Sequence, residues 1–524
     1  MCGIFLHLSE DVDVENIRGY GEKIKHRGPD STVEKTLHEE GKTLYFQFHR
    51  LAINGLTESG NQPMEIGNKV LMCNGEIYNY KELAEKYSFN LKTGSDCEII
   101  IHLSNIMHVN DYIRLLDGVF SFVIYDKLQK CLTIGHDPLG VRPLYWSKDH
   151  HTDCRTLTLC SEMKGIYGLK EKIEFYPPGS FSLYYLKTNK LHTYSFYNFN
   201  YPLINNSEDE ILINIKEKLT HAVKKRLLSD RPIGCLLSGG LDSSIITSIV
   251  CKFMDPSNVK TFSIGLEGSP DLIASEKIAE YLGTDHTSVT LTEAEMYDGI
   301  EETIRQIESR DTTTIRASVP MYLLSKYIAE NTDIKVILSG EGSDEASGSY
   351  LYFHNAPSPE EFQKECIRLI NDVQYFDVLR GDKTTAGNGL EIRVPFFDKE
   401  FINFYMSINP QKKMIKNGFE KYYLRKAFEN NLPNEIVWRR KEGFSDGVSS
   451  MNKPWYEIIK NYIKDNNLVN ENNYEYLKPI DEESLWYRDI FEKYYPNNQK
   501  ILPYYWMPKW SDQTNPSGRL INHE

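Results

Sequence analysis

The sequence predicts two domains of different class. Residues 1–195 read as an α+β sandwich, with stacked antiparallel sheets between helices, and residues 208–524 as an α/β domain built on a parallel sheet. Three observations carry this. The first part is a series of short apolar strands separated by polar turns. The second alternates buried strand-like runs with amphipathic helical stretches. Between them, residues 196–206 turn to Asn, Tyr and Pro and read as a linker. A chain of 524 residues is long enough for at least two domains.

Taken in order, Tyr45-Phe46-Gln47-Phe48-His49 alternates loosely, and Val70-Leu71-Met72-Cys73 runs into Asn74-Gly75. Phe120-Ser121-Phe122-Val123-Ile124-Tyr125 is a buried strand, and Cys131-Leu132-Thr133-Ile134-Gly135 follows a charged turn. A helix is expected over residues 96–105. Strands this dense with few helices suggest antiparallel sheets. After the linker, Ser207-Glu208-Asp209-Glu210 is a capping box, and Ile211, Ile215, Leu219 and Val223 mark the helix it opens. Residues 233–237 and 260–266 read as strands. Asp271 is expected to cap a helix carrying Ile273, Ile278 and Leu282, ended by Gly283. Val336-Ile337-Leu338 is a further buried strand. This rhythm belongs to a parallel sheet with helices on both faces, whose ligands sit at the strands' carboxyl ends. The tail beyond Ser511 is polar and expected to be mobile.

Composition narrows the class. The chain is 40% hydrophobic and 26% charged, as ordinary globular proteins are. A net charge of −14 argues against nucleic acid as a bulk partner. No apolar run is long enough for a membrane span. The start, Met1-Cys2-Gly3-Ile4-Phe5, lacks the basic segment and apolar core of a secretory signal. Nine scattered cysteines without a C-x-x-C pair fit a reducing, cytoplasmic compartment and argue against structural zinc. Small-molecule partners are expected, and a homodimer is compatible with the sequence.

The chemistry of the second domain starts at Leu237-Ser238-Gly239-Gly240-Leu241-Asp242-Ser243-Ser244. A buried run precedes it, and Ile245, Ile246, Ile249 and Val250 form one apolar helix face after it. A strand, a glycine turn and a helix N-terminus together make a phosphate cradle. The glycines admit close backbone approach, and the helix start offers unpaired N–H groups and the positive end of its dipole. The loop lacks the Gly-Lys-Ser/Thr end of a Walker motif. It resembles the pyrophosphate loop of ATP pyrophosphatases, which cleave ATP between the α- and β-phosphates. Ser339-Gly340-Glu341-Gly342-Ser343-Asp344-Glu345 follows the Val336 strand, on the same ligand edge. Carboxylates beside a phosphate site suggest Mg²⁺ bridging the two.

The chemistry of the first domain starts at Cys2. Removal of Met1 would place a thiol and a free α-amino group on one residue. That amine, with an ordinary pKa of about 7.7–8.0, can serve as the base for the thiol. Met1-Cys2-Gly3-Ile4, His26-Arg27-Gly28-Pro29-Asp30, His49-Arg50-Leu51-Ala52, Asn74-Gly75-Glu76-Ile77-Tyr78-Asn79 and Gly94-Ser95-Asp96 follow in order. This set closely resembles the class II glutamine amidotransferases, which have an N-terminal-nucleophile fold. The resemblance makes Cys2 the nucleophile and Asn74 and Gly75 the oxyanion hole. It assigns glutamine binding to Arg50, Leu51, Asn74, Gly75, Glu76 and Asp96. Arg50 would take the α-carboxylate, Asp96 the α-ammonium, and Glu76 would help orient the substrate. An amino acid zwitterion needs one cation and one anion. Asp96 could also cap the helix that follows it.

A glutaminase joined to an ATP pyrophosphatase implies amidation of a carboxylate. The later motifs make the match specific: Thr261-Phe262-Ser263-Ile264-Gly265, Leu390-Glu391-Ile392-Arg393-Val394-Pro395-Phe396, Trp438-Arg439-Arg440-Lys441-Glu442 and Phe444-Ser445-Asp446-Gly447. With the two loops above, they resemble the glutamine-hydrolysing asparagine synthetases, through Tyr505-Trp506-Met507-Pro508-Lys509-Trp510. The resemblance implies ATP as substrate, Mg²⁺, and a β-aspartyl-AMP intermediate from which ammonia displaces AMP. ATP contacts would come from Leu237, Ser238, Gly239, Gly240, Asp242, Ser243, Ile264, Ser339, Gly340 and Lys441. Asp242 and Asp344 would hold the metal, and Glu341 would manage the proton of the attacking amine. One departure is visible. Ala346-Ser347-Gly348-Ser349 stands where the family pattern has a Leu or Val, a bulky residue and two glycines. Two other readings share these folds. A β-lactam synthetase-like ligase would lack the N-terminal cysteine. A non-catalytic scaffold would have lost Cys2, Arg50, Asp242 or Glu341, and all four are present.

Overall fold

The strand Gly3–Ser9 (β1) threads Ile4, Leu6 and Leu8 into one side of a sheet, the period-two alternation of a β-strand. The computed structural model of the protein describes residues 1–149, 153–170, 172–470 and 472–520. The chain divides into two compact units. The first is Met1–Asn198 together with Leu228–Arg231 and Ala386–Glu391. The second is Phe199–Leu227, Pro232–Thr385 and Ile392–Glu524.

In the first unit, β1 is followed by α1 (Val14–Glu22), β2 (Ser31–Glu39), β3 (Lys42–Arg50), β4 (Met64–Ile66) and β5 (Lys69–Ile77). Helices α2 (Tyr80–Lys86), α3 (Glu98–Ile106) and α4 (Val109–Leu115) come next. Then come β6 (Gly118–Asp126), β7 (Cys131–His136), β8 (Tyr145–Lys148), β9 (Leu157–Cys160), β10 (Glu174–Phe175), β11 (Ser180–Tyr185) and β12 (Lys190–Ser195). They form two six-stranded sheets, ordered β10-β8-β9-β1-β3-β2 and β12-β11-β7-β6-β5-β4. The strand pairs within both sheets are antiparallel.

Side-chain parity sorts the core into layers. Ile4, Leu6, Phe46 and Phe48 of the first sheet share one buried cluster with Val70, Met72, Val123 and Ile134 of the second. The intervening Leu71, Cys73, Phe122 and Ile124 face the other way, into a cluster with Ile99, Ile100, Leu103 and Tyr112 of α3 and α4. Each such aliphatic side chain taken fully from water contributes about 1.5–3 kcal/mol. Helix α3 starts at Glu98, two residues later than the sequence suggests. Asp96 does not cap it: its Oδ2 accepts from Ile77 N at 2.6 Å.

The second unit opens with α5 (Glu208–Lys225), whose Ser207–Glu210 capping box forms as expected. Then follow β13 (Ile233–Leu236), α6 (Leu241–Val250), β14 (Lys260–Leu266), α7 (Pro270–Leu282), β15 (Asp285–Leu291), α8 (Glu293–Ile307), α9 (Thr312–Asn331) and β16 (Val336–Leu338). After α10 (Ser343–Ser347), α11 (Pro359–Asp372) and α12 (Asp377–Ala386), β17 (Glu391–Arg393) completes a five-stranded sheet ordered β15-β14-β13-β16-β17. Strands β13, β14, β15 and β16 pair in parallel.

The chain moves outward from β13 to β15 and then returns to the other side of β13. The switch point therefore lies between β13 and β16, where open parallel sheets bind ligands. Two details differ from the sequence reading. Ser269, not Asp271, caps α7, its hydroxyl accepting from Leu272 N. Asp271 sits inside the first turn, where an acidic side chain favours the helix dipole. Gly283 ends α7 at φ 75, as expected. The tail beyond Ser511 is tied down through its described part. Ser517 Oγ donates to Asp446 Oδ1 at 2.6 Å, Gly518 N to Asp446 Oδ2 at 2.9 Å, and Arg519 Nε to Glu442 at 2.7 Å. The final residues, 521–524, lie outside the described residues.

Candidate active sites

Cys2 sits at the start of β1, and several of the predicted motifs converge on it. Its backbone N–H donates to Asn74 Oδ1 at 2.9 Å, and its thiol to the carbonyl of Leu51 at 3.7 Å. Its own carbonyl accepts from Arg27 Nε at 3.0 Å. Arg27 is fully buried and paired with Glu162 at 2.7 Å, which also takes His26 at 3.0 Å and Lys164 at 2.7 Å. Burial works to raise the Glu162 carboxyl, but Lys164, His26 and Arg27 hold it well below the usual carboxylate range. So Arg27, steadied with His26 by Glu162, braces the Cys2 backbone. Gly28 allows close passage: a Cβ there would meet the His49 carbonyl carbon at 2.2 Å. Asp30 accepts from Ala52 N at 2.8 Å and fixes the turn after β3.

A cavity in the first unit is lined by Cys2, Arg50, Leu51, Gly75, Glu76 and Asp96 among others. Asn74 supplies the amide beside it. Because Asn74 Oδ1 faces Cys2, the Nδ2 group is left buried with no hydrogen-bond partner. An orphaned buried donor costs about 1–3 kcal/mol, and here it lies beside the candidate nucleophile. Arg50 forms hydrogen bonds to neutral oxygens: Thr57 O at 2.7 Å, Asn61 Oδ1 at 2.9 Å, and the carbonyls of Gly55 and Asn54. Its positive charge is thus available to a ligand carboxylate. Glu76 accepts from Asn54 Nδ2 at 2.6 Å. Burial pushes the Cys2 thiol up to about 11, so an adjacent base is needed to make the thiolate.

In the second unit the cavity opens at the carboxyl ends of β13 and β16. Leu237, Ser238, Gly240, Asp242, Ser243, Ile264, Ser339, Gly340, Glu341, Asp344 and Lys441 all line it. Leu237 N donates to Phe262 O at 2.8 Å and extends the sheet by one residue. Ser238 and Ser243 bind each other across the loop, hydroxyl to hydroxyl at 3.1 Å. Two loop residues play other parts. Gly239 adopts φ 70, and its position leaves no room for a Cβ, which would meet Ala274 C at 2.4 Å. Ser244 is fully buried and donates to Gly240 O at 2.7 Å, so it stabilises α6 instead of facing the cavity. Gly340 is required by close packing, since a Cβ would meet Ser243 N at 2.8 Å.

Charges alternate around this cavity. Lys421 Nζ bridges Asp242 Oδ2 at 2.6 Å and Asp344 Oδ1 at 2.7 Å, and Lys441 Nζ reaches Asp344 Oδ2 at 2.8 Å. Burial alone would raise the Asp344 carboxyl, but the two ammonium groups hold it far below its ordinary value. The two carboxylates converge on the Lys421 ammonium, which places two oxygen donors around one cationic point. Glu341 is forked by Arg380, at 3.1 Å and 2.5 Å, and Arg380 also binds Asp377 at 2.7 Å. Burial raises the Glu341 carboxyl; Arg380 opposes this and Asp377 adds to it. At the departure from the family pattern, Gly348 takes φ 62 and Ser349 Oγ donates to Asp344 Oδ1 at 2.5 Å.

A family model described as glutamine amidotransferase domain matches residues 1–203, and one described as asparagine synthase matches residues 214–361 and 355–516. The chain is 41% identical over 566 residues to the asparagine synthetase (glutamine-hydrolyzing) of Gallus gallus, covering 100% of this chain and 99% of that one. The chain belongs to the asparagine synthetase family. It is also 41% identical over 562 residues to the protein of that name in Cricetulus griseus and 40% identical to that in Homo sapiens, each with 100% of this chain and 99% of the other covered.

Within this family member, three participants escaped the sequence reading. Lys421 lies in a turn at φ 57, a costly conformation for a residue with a side chain. Nothing local in Phe419-Glu420-Lys421-Tyr422 announces it. Arg380 is one arginine among many on a helical stretch. Glu162 is an isolated acid after β9. Each is defined by partners distant in sequence, which periodicity and local motifs do not report.

Proposed function

We propose that the protein makes L-asparagine from L-aspartate, ATP and the amide nitrogen of L-glutamine. The observation that carries the glutaminase half is the orphaned Nδ2 of Asn74 beside Cys2. Once Met1 is removed, the Cys2 α-amine takes the thiol proton and the sulfur attacks the glutamine amide carbon. Asn74 Nδ2 and the Gly75 N–H hold the oxyanion. Ammonia leaves, and water releases glutamate from the Cys2 thioester. Arg50 takes the glutamine α-carboxylate, Asp96 the α-ammonium, and Glu76 and Leu51 shape the rest of the pocket.

In the second unit the Leu237–Ser243 loop and Ser339–Gly340 cradle ATP, with Ile264 against the nucleotide. The aspartate side-chain carboxylate attacks the α-phosphorus and pyrophosphate leaves. Ammonia then attacks the acyl carbon of the aspartyl adenylate and AMP leaves, Glu341 taking the proton. Asp242 and Asp344 would hold Mg²⁺, which neutralises the leaving pyrophosphate when bound. Lys441 and Lys421 balance charge on the same side. All nine cysteines are free thiols, and no helix among the described residues is long and apolar enough to cross a membrane; both support work in a reducing cytoplasm.

The test is a split of activities. Cys2→Ala should abolish glutamine-dependent synthesis and retain ammonia-dependent synthesis, with AMP and pyrophosphate formed one per asparagine. An uncleavable N-terminal extension should act as Cys2→Ala does. Loss of ammonia-dependent synthesis in Cys2→Ala, or ADP and orthophosphate as primary products, would overturn the reading.

A further inference from the structure

Glu98, the first residue of α3, is fully buried and takes no part in glutamine hydrolysis as drawn. Lys92 N donates to both of its oxygens at 2.9 Å, and Thr93 N and Thr93 Oγ1 each donate to Oε2 at 2.7 Å. His102 Nε2 lies 3.0 Å from Oε1. Burial alone would raise this carboxyl, but the bonds from Thr93, His102 and Lys92 hold it below its ordinary value, so it accepts as a carboxylate. Thr93 Oγ1 also accepts from Ser95 N at 3.2 Å, which carries the clamp to the residue before Asp96. The same loop is tied to the one that wraps Arg50. Ser59 Oγ donates to Thr93 O at 3.0 Å, and Thr57 Oγ1 lies 2.7 Å from Ser59 Oγ. Thr57 O accepts from Arg50 Nη1 at 2.7 Å, and Gly55 O also accepts from Arg50. Gly55 packs so closely on Gly94 that a Cβ there would meet the Gly94 carbonyl carbon at 2.7 Å. The contacts from Arg50 to the Asp96 loop thus pass through Thr93, which Glu98 holds to α3.

We propose that Glu98 is a positioning residue for glutamine recognition: by clamping Thr93 it fixes the separation of Arg50 and Asp96, and so makes the site select an amino acid carrying both an α-carboxylate and an α-ammonium. The inference rests on Arg50 and Asp96 being the glutamine contacts, as proposed above. In a zwitterion the two charged groups share one carbon, so their spacing is fixed. A site that binds both needs its own cation and anion at a matching distance, held to within about 0.5 Å. Neither loop is rigid by itself, since each is irregular backbone; the cross-bonds at Thr93 and the Gly55–Gly94 contact join them. Cys2 lies at the start of β1 and Asn74 in β5, outside both loops. Loss of the clamp should therefore weaken glutamine binding and leave the nucleophile in place.

The test compares the full-length protein with Glu98→Gln, Thr93→Val, Thr93→Ser and Ser59→Ala by steady-state glutaminase kinetics. Glu98→Gln keeps the side-chain size and turns an amide toward donors that need an acceptor. KM for glutamine should rise at least tenfold in Glu98→Gln and at least fivefold in Thr93→Val, with kcat within threefold of native. Thr93→Ser keeps the hydroxyl and should stay within twofold of the native KM. Ser59→Ala, at an exposed position, should raise KM at least threefold, and with Thr93→Val it decides the matter if Glu98→Gln does not fold. Alkylation of Cys2 by iodoacetamide, which carries neither charge, should run within twofold of the native rate in every variant, read by mass spectrometry of the N-terminal peptide. A general loosening of the site would change that rate too. An unchanged KM in Glu98→Gln, a Cys2 alkylation rate that moves in step with KM, or a Thr93→Ser variant as impaired as Thr93→Val would overturn the proposal. Asp96→Asn separates the two readings, and it should raise KM for glutamine at least as far as Glu98→Gln does. If it leaves KM unchanged, the site assignment falls; if it raises KM while Glu98→Gln does not, only the clamp falls.

Discussion

Asn74 Oδ1 accepts the Cys2 N–H at 2.9 Å, and this single bond fixes which way the amide points. The oxygen faces the chain's N-terminus and the nitrogen is left without a partner. Asn74→Ala should therefore lower kcat for glutamine hydrolysis by about 10²–10³, the cost of removing one oxyanion donor. KM for glutamine should change far less. Steady-state glutaminase kinetics check this, and a KM effect without a kcat effect would refute the role.

Glu162 pairs with Arg27 and Lys164 and hydrogen-bonds to His26, with Arg27 passing the constraint to the Cys2 carbonyl. Its folded-state pKa lies well below that of an unfolded glutamate, about 4.3. The stability it contributes is present above that value and is lost as pH falls through the folded-state pKa. Glu162→Gln leaves buried cations unpaired and should destabilise the first unit by about 3–5 kcal/mol at neutral pH. The difference from the native protein should shrink as pH drops below about 4. Thermal unfolding across pH 3–7 measures it; a pH-independent difference would show that Glu162 acts through packing alone.

In the proposed reaction Glu341 can accept a proton only when ionised, and burial moves its pKa upward despite Arg380. The acid limb of kcat for ammonia-dependent synthesis should thus lie above the range of an ordinary glutamate. Arg380→Gln removes the charge that favours the carboxylate, so the limb should move to still higher pH. Arg380→Lys should restore part of the shift. A limb that stays put in Arg380→Gln would remove Glu341 from the proton step.

Lys421 neutralises two carboxylates at once. Lys421→Met should leave Asp242 and Asp344 repelling each other and the ATP phosphates. A rise in KM for ATP of at least tenfold is expected, eased by higher Mg²⁺, with glutamine hydrolysis retained. Kinetics at two Mg²⁺ concentrations decide it.

Gly340→Ala tests the contact between the two loops. The added methyl would lie 2.8 Å from Ser243 N and 3.0 Å from the Asp242 side chain. Backbone cannot yield as a flexible side chain can, so ammonia-dependent synthesis should fall by at least tenfold. An unchanged rate would show that the Ser243 loop shifts without cost.

By itself the sequence determined which segments are strands and helices where the pattern is strong and local. The Ser207–Glu210 capping box, the Gly283 stop and the apolar run Phe120–Tyr125 inside β6 are written in neighbouring residues. It also singled out Cys2 and the Leu237–Ser244 loop as candidates, because the residue types and spacing that suggest a nucleophile or a phosphate cradle lie within a few positions of each other. Only the tertiary structure decided which way Asn74 turns, that Ser244 faces inward while Ser243 faces the cavity, and that Lys421 sits between Asp242 and Asp344. It also moved the α7 cap from Asp271 to Ser269 and tied the Ser517–Arg519 tail to Asp446 and Glu442. The physical reason is range. Capping and side-chain periodicity are energies between residues a few positions apart, whereas a buried charge takes whatever partner the fold brings to it from anywhere in the chain.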